Sequence, residues 1–169
     1  MASQLKNYDD FYETIFAQLE GLTPLFGDCG ELCDKACCKG DDKTGMRLFP
    51  HEPSPLKAIE AEGGALAVCG GSCNRSERPL SCRIFPFFPT IDDEGRIRVK
   101  IDMRAYRLCP LAENSESIRF DKDFLRAVRR VGRLLSRDAE CLEYLKETSE
   151  EIAQLEKLYG LIPKFSRRK

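Results

Sequence analysis

The chain has almost no net charge, a single histidine and no long apolar run. Its 27 basic residues nearly cancel its 28 acidic ones, leaving −1 at pH 7. Without a field of one sign, nothing points to nucleic acid or a membrane surface as a partner. No apolar stretch approaches the ~20 residues of a membrane span. The first residues, Met1-Ala2-Ser3-Gln4-Leu5-Lys6, lack the basic-then-apolar layout of a secretory signal. Together these absences predict a cytoplasmic protein. No glycine-rich loop leads into Lys-Ser/Thr, no dinucleotide fingerprint is present, and no paired carboxylates stand in a context suited to acid–base work. His51, between Pro50 and Glu52, is the only imidazole available as ligand or base, so a Cys–His nucleophile pair has one candidate at most. There is no internal repeat and no low-complexity segment.

What the chain does have is cysteine: nine in 169 residues. A chain of this length reads most simply as one domain, 1–169, large enough to bury its own core without disulfides. In a reducing compartment clustered thiols point to metal binding or catalysis rather than to disulfides. An odd count and the adjacent pair Cys37-Cys38 fit a disulfide framework poorly. The cysteines are also unevenly spread. Cys29, Cys33, Cys37 and Cys38 form one block, and Cys69, Cys73 and Cys82 form a second.

The flanking segments read as helices and strands. Leu5, Tyr8, Phe11, Tyr12, Ile15, Phe16 and Leu19 recur at helical steps, predicting an amphipathic helix over 3–20 that ends at Gly21 and Pro24. Met46–Phe49 suggests a short strand. Ser54 as an N-cap and Pro55 at the first helical position predict a short helix closed by Gly63-Gly64. Ala65–Val68 reads as a buried strand. Ile84–Phe88, broken by Pro86, reads as an edge or irregular segment. Asp92-Asp93-Glu94-Gly95 predicts a hairpin turn, with Ile97, Val99, Ile101 and Met103 alternating along the return strand. The remainder, 115–160, is helical, with starts at Asp121 and Ser136 and a break or a new cap at Ser149-Glu150-Glu151. The predicted fold is α+β: a helix-rich domain around an irregular cysteine-lined metal centre, with one β-hairpin.

Thiolates are soft ligands that select zinc, Cu(I) and iron–sulfur clusters. Cys29, Cys33, Cys37, Cys38, Cys69, Cys73, Cys82 and Cys109 would complete two four-thiolate sites, or one cluster with spare thiols. Cys29, Cys33 and Cys37 would share one face of a helix, or wrap a metal from an irregular loop. Adjacent Cys37 and Cys38 can serve two sites, or one if the backbone is irregular. Cys141 sits on the apolar stripe of a late helix and reads as a small buried hydrophobe. Excess thiolate charge calls for cations nearby. Arg78 and Arg83 are the candidates, the plainer reading being surface salt bridges to acids such as Glu77. Arg126, Arg129, Arg130, Arg133 and Arg137 read as a solvated helix face.

The early block, followed by Cys73-x-x-x-Glu77-Arg78-Pro79-x-x-Cys82-Arg83-x-Phe85-Pro86 and by Cys109-Pro110, resembles the YkgJ-type cysteine-cluster family. That family is also called CxxCxxCC, a zinc- or iron-chelating domain. The resemblance covers roughly 27–110. Here three residues separate Cys33 from Cys37, where the family has two. The resemblance implies metal binding, and because such domains also occur in flagellin lysine methylases it raises redox or methyl-transfer chemistry. The leading expectation is an iron–sulfur or zinc protein with an electron-transfer or structural role and an unidentified protein or redox partner. The alternatives are an enzyme or enzyme subunit built on an iron–sulfur centre, and a zinc-stapled interaction module.

Overall fold

The structure is a computed structural model that describes residues 7–27, 29–39, 45–54 and 56–160. It is α+β, with five α-helices and two small antiparallel sheets among the described residues. Helix α1 spans Tyr8–Ala17, where Asn7 accepts a hydrogen bond from the Asp9 amide at its N-terminus. Residues 3–6 of the expected first helix lie outside the described residues. Strands β1 (Met46–Arg47), β2 (Lys57–Ala61) and β3 (Gly64–Val68) form a sheet in the order β1-β3-β2. Helix α2 (Leu80–Ile84) leads into the hairpin β4 (Phe87–Ile91) and β5 (Ile97–Ile101). Helices α3 (Pro110–Glu113), α4 (Lys122–Leu135) and α5 (Ala139–Leu158) complete the fold.

The main core forms where α4 and α5 lie on the β4–β5 hairpin and α1 packs alongside. Tyr12, Ile15, Phe124, Val128, Val131, Leu135, Leu145 and Ile152 are fully buried there. Each such side chain contributes about 1.5–3 kcal/mol by leaving water, so this layer outweighs the polar contacts around it. Of the apolar positions at helical spacing in and just after α1, Tyr12, Ile15 and Leu19 are buried, and Tyr8, Phe11 and Phe16 pack against them. Asp121 caps α4 through the amides of Asp123 and Phe124. Asp138, rather than Ser136, caps α5.

Close approach of α4 to the hairpin depends on Gly132. A Cβ there would meet Pro89 Cβ at 2.6 Å and Ile97 Cγ2 at 2.7 Å. The hairpin turn is fixed by Asp92, whose carboxylate accepts from the amides of Glu94 and Arg96. Those bonds, chiefly the one from the Arg96 amide and then the guanidinium groups of Arg96 and Arg98, pull its pKa down to about 2.

Three expectations are corrected. Pro55, the expected first helical position, lies outside the described residues, but Lys57–Ala61 is not helical: it is strand β2, which returns through Gly63 (φ +84) and Gly64 (φ +121) to pair with β3. There are therefore two hairpins, not one. Lys57-Ala58-Ile59-Glu60-Ala61 would accept a helix, but β3 offers an open edge, and pairing overrides weak local propensity. Ile84–Phe88 splits, its first residue closing α2 and its last two opening β4. Finally, α5 runs unbroken past Ser149, whose hydroxyl accepts from the Ile91 amide at 2.9 Å and ties the helix to β4.

One buried carboxylate joins the sheet region to α2. Glu52 is 8% exposed and accepts from the amides of Phe49 (2.9 Å) and Leu80 (2.5 Å). Pro79, preceding α2, provides no side-chain cap, so Glu52 caps the helix from a distance. Burial pushes its pKa up to about 7 against the pull of both amides.

Two substitutions test this account. Gly132→Ala should destabilise by about 1–3 kcal/mol through overpacking, although glycine to alanine in an unconstrained helix stabilises by ~1 kcal/mol; urea denaturation gives the sign. Glu52→Gln should cost about 1–3 kcal/mol, because its NH2 would face an amide. Raised folded-state pKa means that the native chain gains stability as pH falls from about 7 towards 4.5. The stability gap between the native protein and the Glu52→Gln variant should therefore widen over that interval.

Candidate metal centre

The early cysteine block is an irregular wrap, not a helix. Two single 3₁₀ turns, Cys29–Leu32 and Ala36–Cys38, flank Asp34 (φ 48) and Lys35 (φ 54). Two successive side-chain-bearing residues in the left-handed region end any helix. The amides of Lys35, Ala36 and Cys38 then bond back to the carbonyls of Gly30 (3.0 Å), Cys33 (3.2 Å) and Lys35 (2.8 Å). Lys39 Nζ meets the Asp34 carboxylate at 2.6 Å and lowers its pKa. Asp34 is so exposed that this pair adds little stability. Of the two arrangements expected for Cys29, Cys33 and Cys37, the loop is the one observed.

The folded hairpin delivers Cys109 to this wrap. After β5, Asp102 caps the turn Met103–Ala105, and the Cys109 amide donates to the Ala105 carbonyl at 2.9 Å. Cys109 stands at the start of α3 with Pro110 at its first position. Burial raises its thiol pKa, opposed by the amides of Ala112 and Leu111, and Cys33 is the thiol that faces it. Cys29, Cys33, Cys37 and Cys109 line one hollow of about 280 Å³, including its open mouth. Leu32, Phe85, Leu108, Pro110 and Leu111 complete the wall, which among the described residues holds no carboxylate and no imidazole. Leu32 and Leu108 are otherwise unexplained large apolar side chains, 60% and 47% exposed.

The later block approaches from the β3 side. A single antiparallel bridge joins Lys39, the residue after Cys38, to Gly70, the residue after Cys69. Gly71 at φ +91 turns the chain towards Cys73, and α2 presents Cys82. The thiol of Cys82 is pushed up to about 12, mainly by burial and then by Cys38, Cys73 and Cys69. Cys37 is raised by burial and by Cys38, Cys33 and Cys29. Cys73 is raised by burial while its bond from Arg78 opposes the rise.

Arginines surround this second group. Arg78 bonds the Cys73 sulfur. Arg83 donates to the carbonyls of Arg78 (2.7 Å) and Ser76 (2.6 Å), and its guanidinium lies 4.2 Å above the Phe16 ring. Among the described residues Arg83 forms no ion pair, so the salt-bridge reading does not describe it. Burial lowers its pKa. Arg75 donates to the Leu22 carbonyl. Arg75, Arg78 and Arg83 line a second hollow of about 370 Å³, including its mouth, with Cys82 and Cys29 in its wall.

The remaining candidates are structural. Cys141 is fully buried against Tyr12 Oη at 3.7 Å, with its amide on Asp138. His51 stacks on Tyr8 at 4.2 Å and pairs with Glu140 at 2.9 Å. Arg126 pairs with Asp123, and Arg130 bonds Gln18. All nine cysteines are free thiols. Among the described residues, no three His, Cys, Asp or Glu side chains stand close enough as placed to hold a metal ion. Also among them, no helix is long and apolar enough to cross a membrane.

Sequence reading did not identify Glu52 as the anchor of α2, nor the apolar wall of Leu32, Phe85, Leu108 and Leu111. Phe85 lies within the motif string, but nothing local marks the others. No family model, curated protein or solved structure matches the chain. The resemblance therefore rests on the motif residues alone.

The burial pattern predicts a labelling order. In metal-free, reduced, folded protein, brief alkylation mapped by mass spectrometry should modify Cys73 and leave Cys141 untouched. Labelling of Cys141 at a comparable rate would contradict its place in the core.

Proposed function

We propose that this chain is a metal-binding protein whose clustered cysteines hold an iron–sulfur cluster or zinc. The observation that supports this best is the hollow lined by Cys29, Cys33, Cys37 and Cys109. Three short-range ligands and one remote ligand face a common space. Thiols with apolar neighbours suit soft, thiophilic metals, whereas calcium and magnesium require oxygen ligands. The pairs Cys37-Cys38 and Cys109-Pro110 fit no simple zinc knuckle, and a Cys-Pro ligand also occurs in bacterial ferredoxins. This favours iron–sulfur over zinc. The resemblance to the YkgJ-type family agrees with either metal. The bound group would fix the central segment and, as a cluster, would carry electrons to or from a protein partner in the reducing cytoplasm.

A second reading is an enzyme or enzyme subunit. The arginine-lined hollow with Cys82 in its wall favours it, because structural metal sites are closed and catalytic ones keep an approach open. Its chemistry would be redox or methyl transfer on a protein or small molecule.

Anaerobic purification followed by a visible spectrum, metal analysis and a sulfide assay tests both readings of the metal. Broad absorbance at the blue edge with iron and sulfide is the expected result; a colourless protein with stoichiometric zinc would make the site structural. Cys82→Ala should lower metal content and stability, and Cys141→Ala should leave the metal in place. Absence of any bound metal from the native chain would overturn the proposal.

A further inference from the structure

We infer that the eight cysteines form two separate four-thiolate centres: Cys29, Cys33, Cys37 and Cys109 in one, and Cys38, Cys69, Cys73 and Cys82 in the other. The chain passes from one centre to the next between Cys37 and Cys38. This rests on the metal-binding reading above and adds the ligand set of each centre.

Four features divide the cysteines in this way. First, a single hollow takes the first four into its wall and none of the second four. Second, the bridge between Lys39 and Gly70 draws the chain just after Cys38 to the chain just after Cys69. Third, Cys109 lines the first hollow and not the second, and Cys82 the second and not the first, with Cys29 at the border of both. Fourth, Cys37 and Cys38 are consecutive in a 3₁₀ turn, where successive side chains diverge by roughly 120°. Their sulfurs remain in hydrogen-bond contact, so the two centres abut at this dipeptide.

The centres also differ in their surroundings. Four thiolates around a divalent ion leave two excess negative charges. The second set meets these with Arg78 on Cys73 and with Arg83 beside Cys82. In the first set Cys33, Cys37 and Cys109 have apolar walls, while Cys29 also borders the arginine-lined hollow. One ion shared by all eight would need to satisfy both environments, and a four-coordinate metal uses only four thiolates.

Cobalt(II) titration of the reduced, metal-free chain tests the partition, since tetrahedral thiolate sites give intense visible bands. The native chain should saturate at two equivalents. Cys109→Ser and Cys73→Ser should each saturate at one. Cys37→Ser combined with Cys109→Ser should still bind one, because both changes strike the same centre. Cys38→Ser combined with Cys109→Ser should bind none. Should Cys109→Ser fail to fold, Cys33→Ser replaces it in each pairing. Saturation of the native chain at one equivalent, or equal losses from both double variants, would overturn the partition while leaving metal binding intact. No cobalt uptake by the native chain, together with no iron or zinc as purified, would overturn the underlying reading instead.

Discussion

The carboxylate of Glu52 holds the cysteine-bearing part of the molecule to its core. It gathers the amides of Phe49 and Leu80, and both residues are themselves buried in the main cluster. A helix as short as α2 has little stability of its own. Its position comes from this remote cap and from the burial of Leu80 and Ile84. Cys82, Arg83 and Phe85 inherit that position. So do the two hollows, since Phe85 lies in the wall of both. Keeping a carboxylate buried costs free energy, as its raised pKa records, and charge-strengthened bonds to two amides offset that cost.

The cysteines stand in two electrostatic environments, with Cys29 at the border between them. Guanidinium groups lie around Cys73 and Cys82 but not around Cys109, whose neighbours are Leu108, Pro110 and Leu111. A thiolate beside a cation is stabilised, and one in apolar surroundings is suppressed. The same residue type is therefore placed in two environments within one small region. Arg83 holds its position through backbone carbonyls and the Phe16 ring rather than through an acid, which leaves its charge uncompensated by any ion pair among the described residues.

The helical layer was legible in the sequence because its signal is periodic. Phe124, Val128, Val131 and Leu135 keep one face over several turns, and the structure buries that face. The hairpin over Asp92–Gly95 was legible because turn chemistry is local. Strand β2 was not, because its residues tolerate a helix and only the edge of β3 decides. Ser149 was misread as a break because its role, accepting from Ile91, lies across the fold. Within the candidate centre, the clustering of cysteines was plain and their wrap was not. Asp34 and Lys35 carry no glycine-like mark of the left-handed turn they make. Glu52 was invisible for the same reason: its partners lie in separate segments.

Cys109 follows β4, β5 and the turn at Asp102 in the chain, so the first hollow closes a long loop. The entropy cost of such closure rises only slowly with loop length, but in the unfolded chain the four thiols are not gathered at all. Anything that binds the closed hollow and not the open chain stabilises the whole fold by mass action, by about 2.7 kcal/mol at a hundredfold excess over its dissociation constant. Folding and occupancy then become one equilibrium. The amount of this protein that survives proteolysis in a cell becomes a measure of how well that cell is supplied with the occupant.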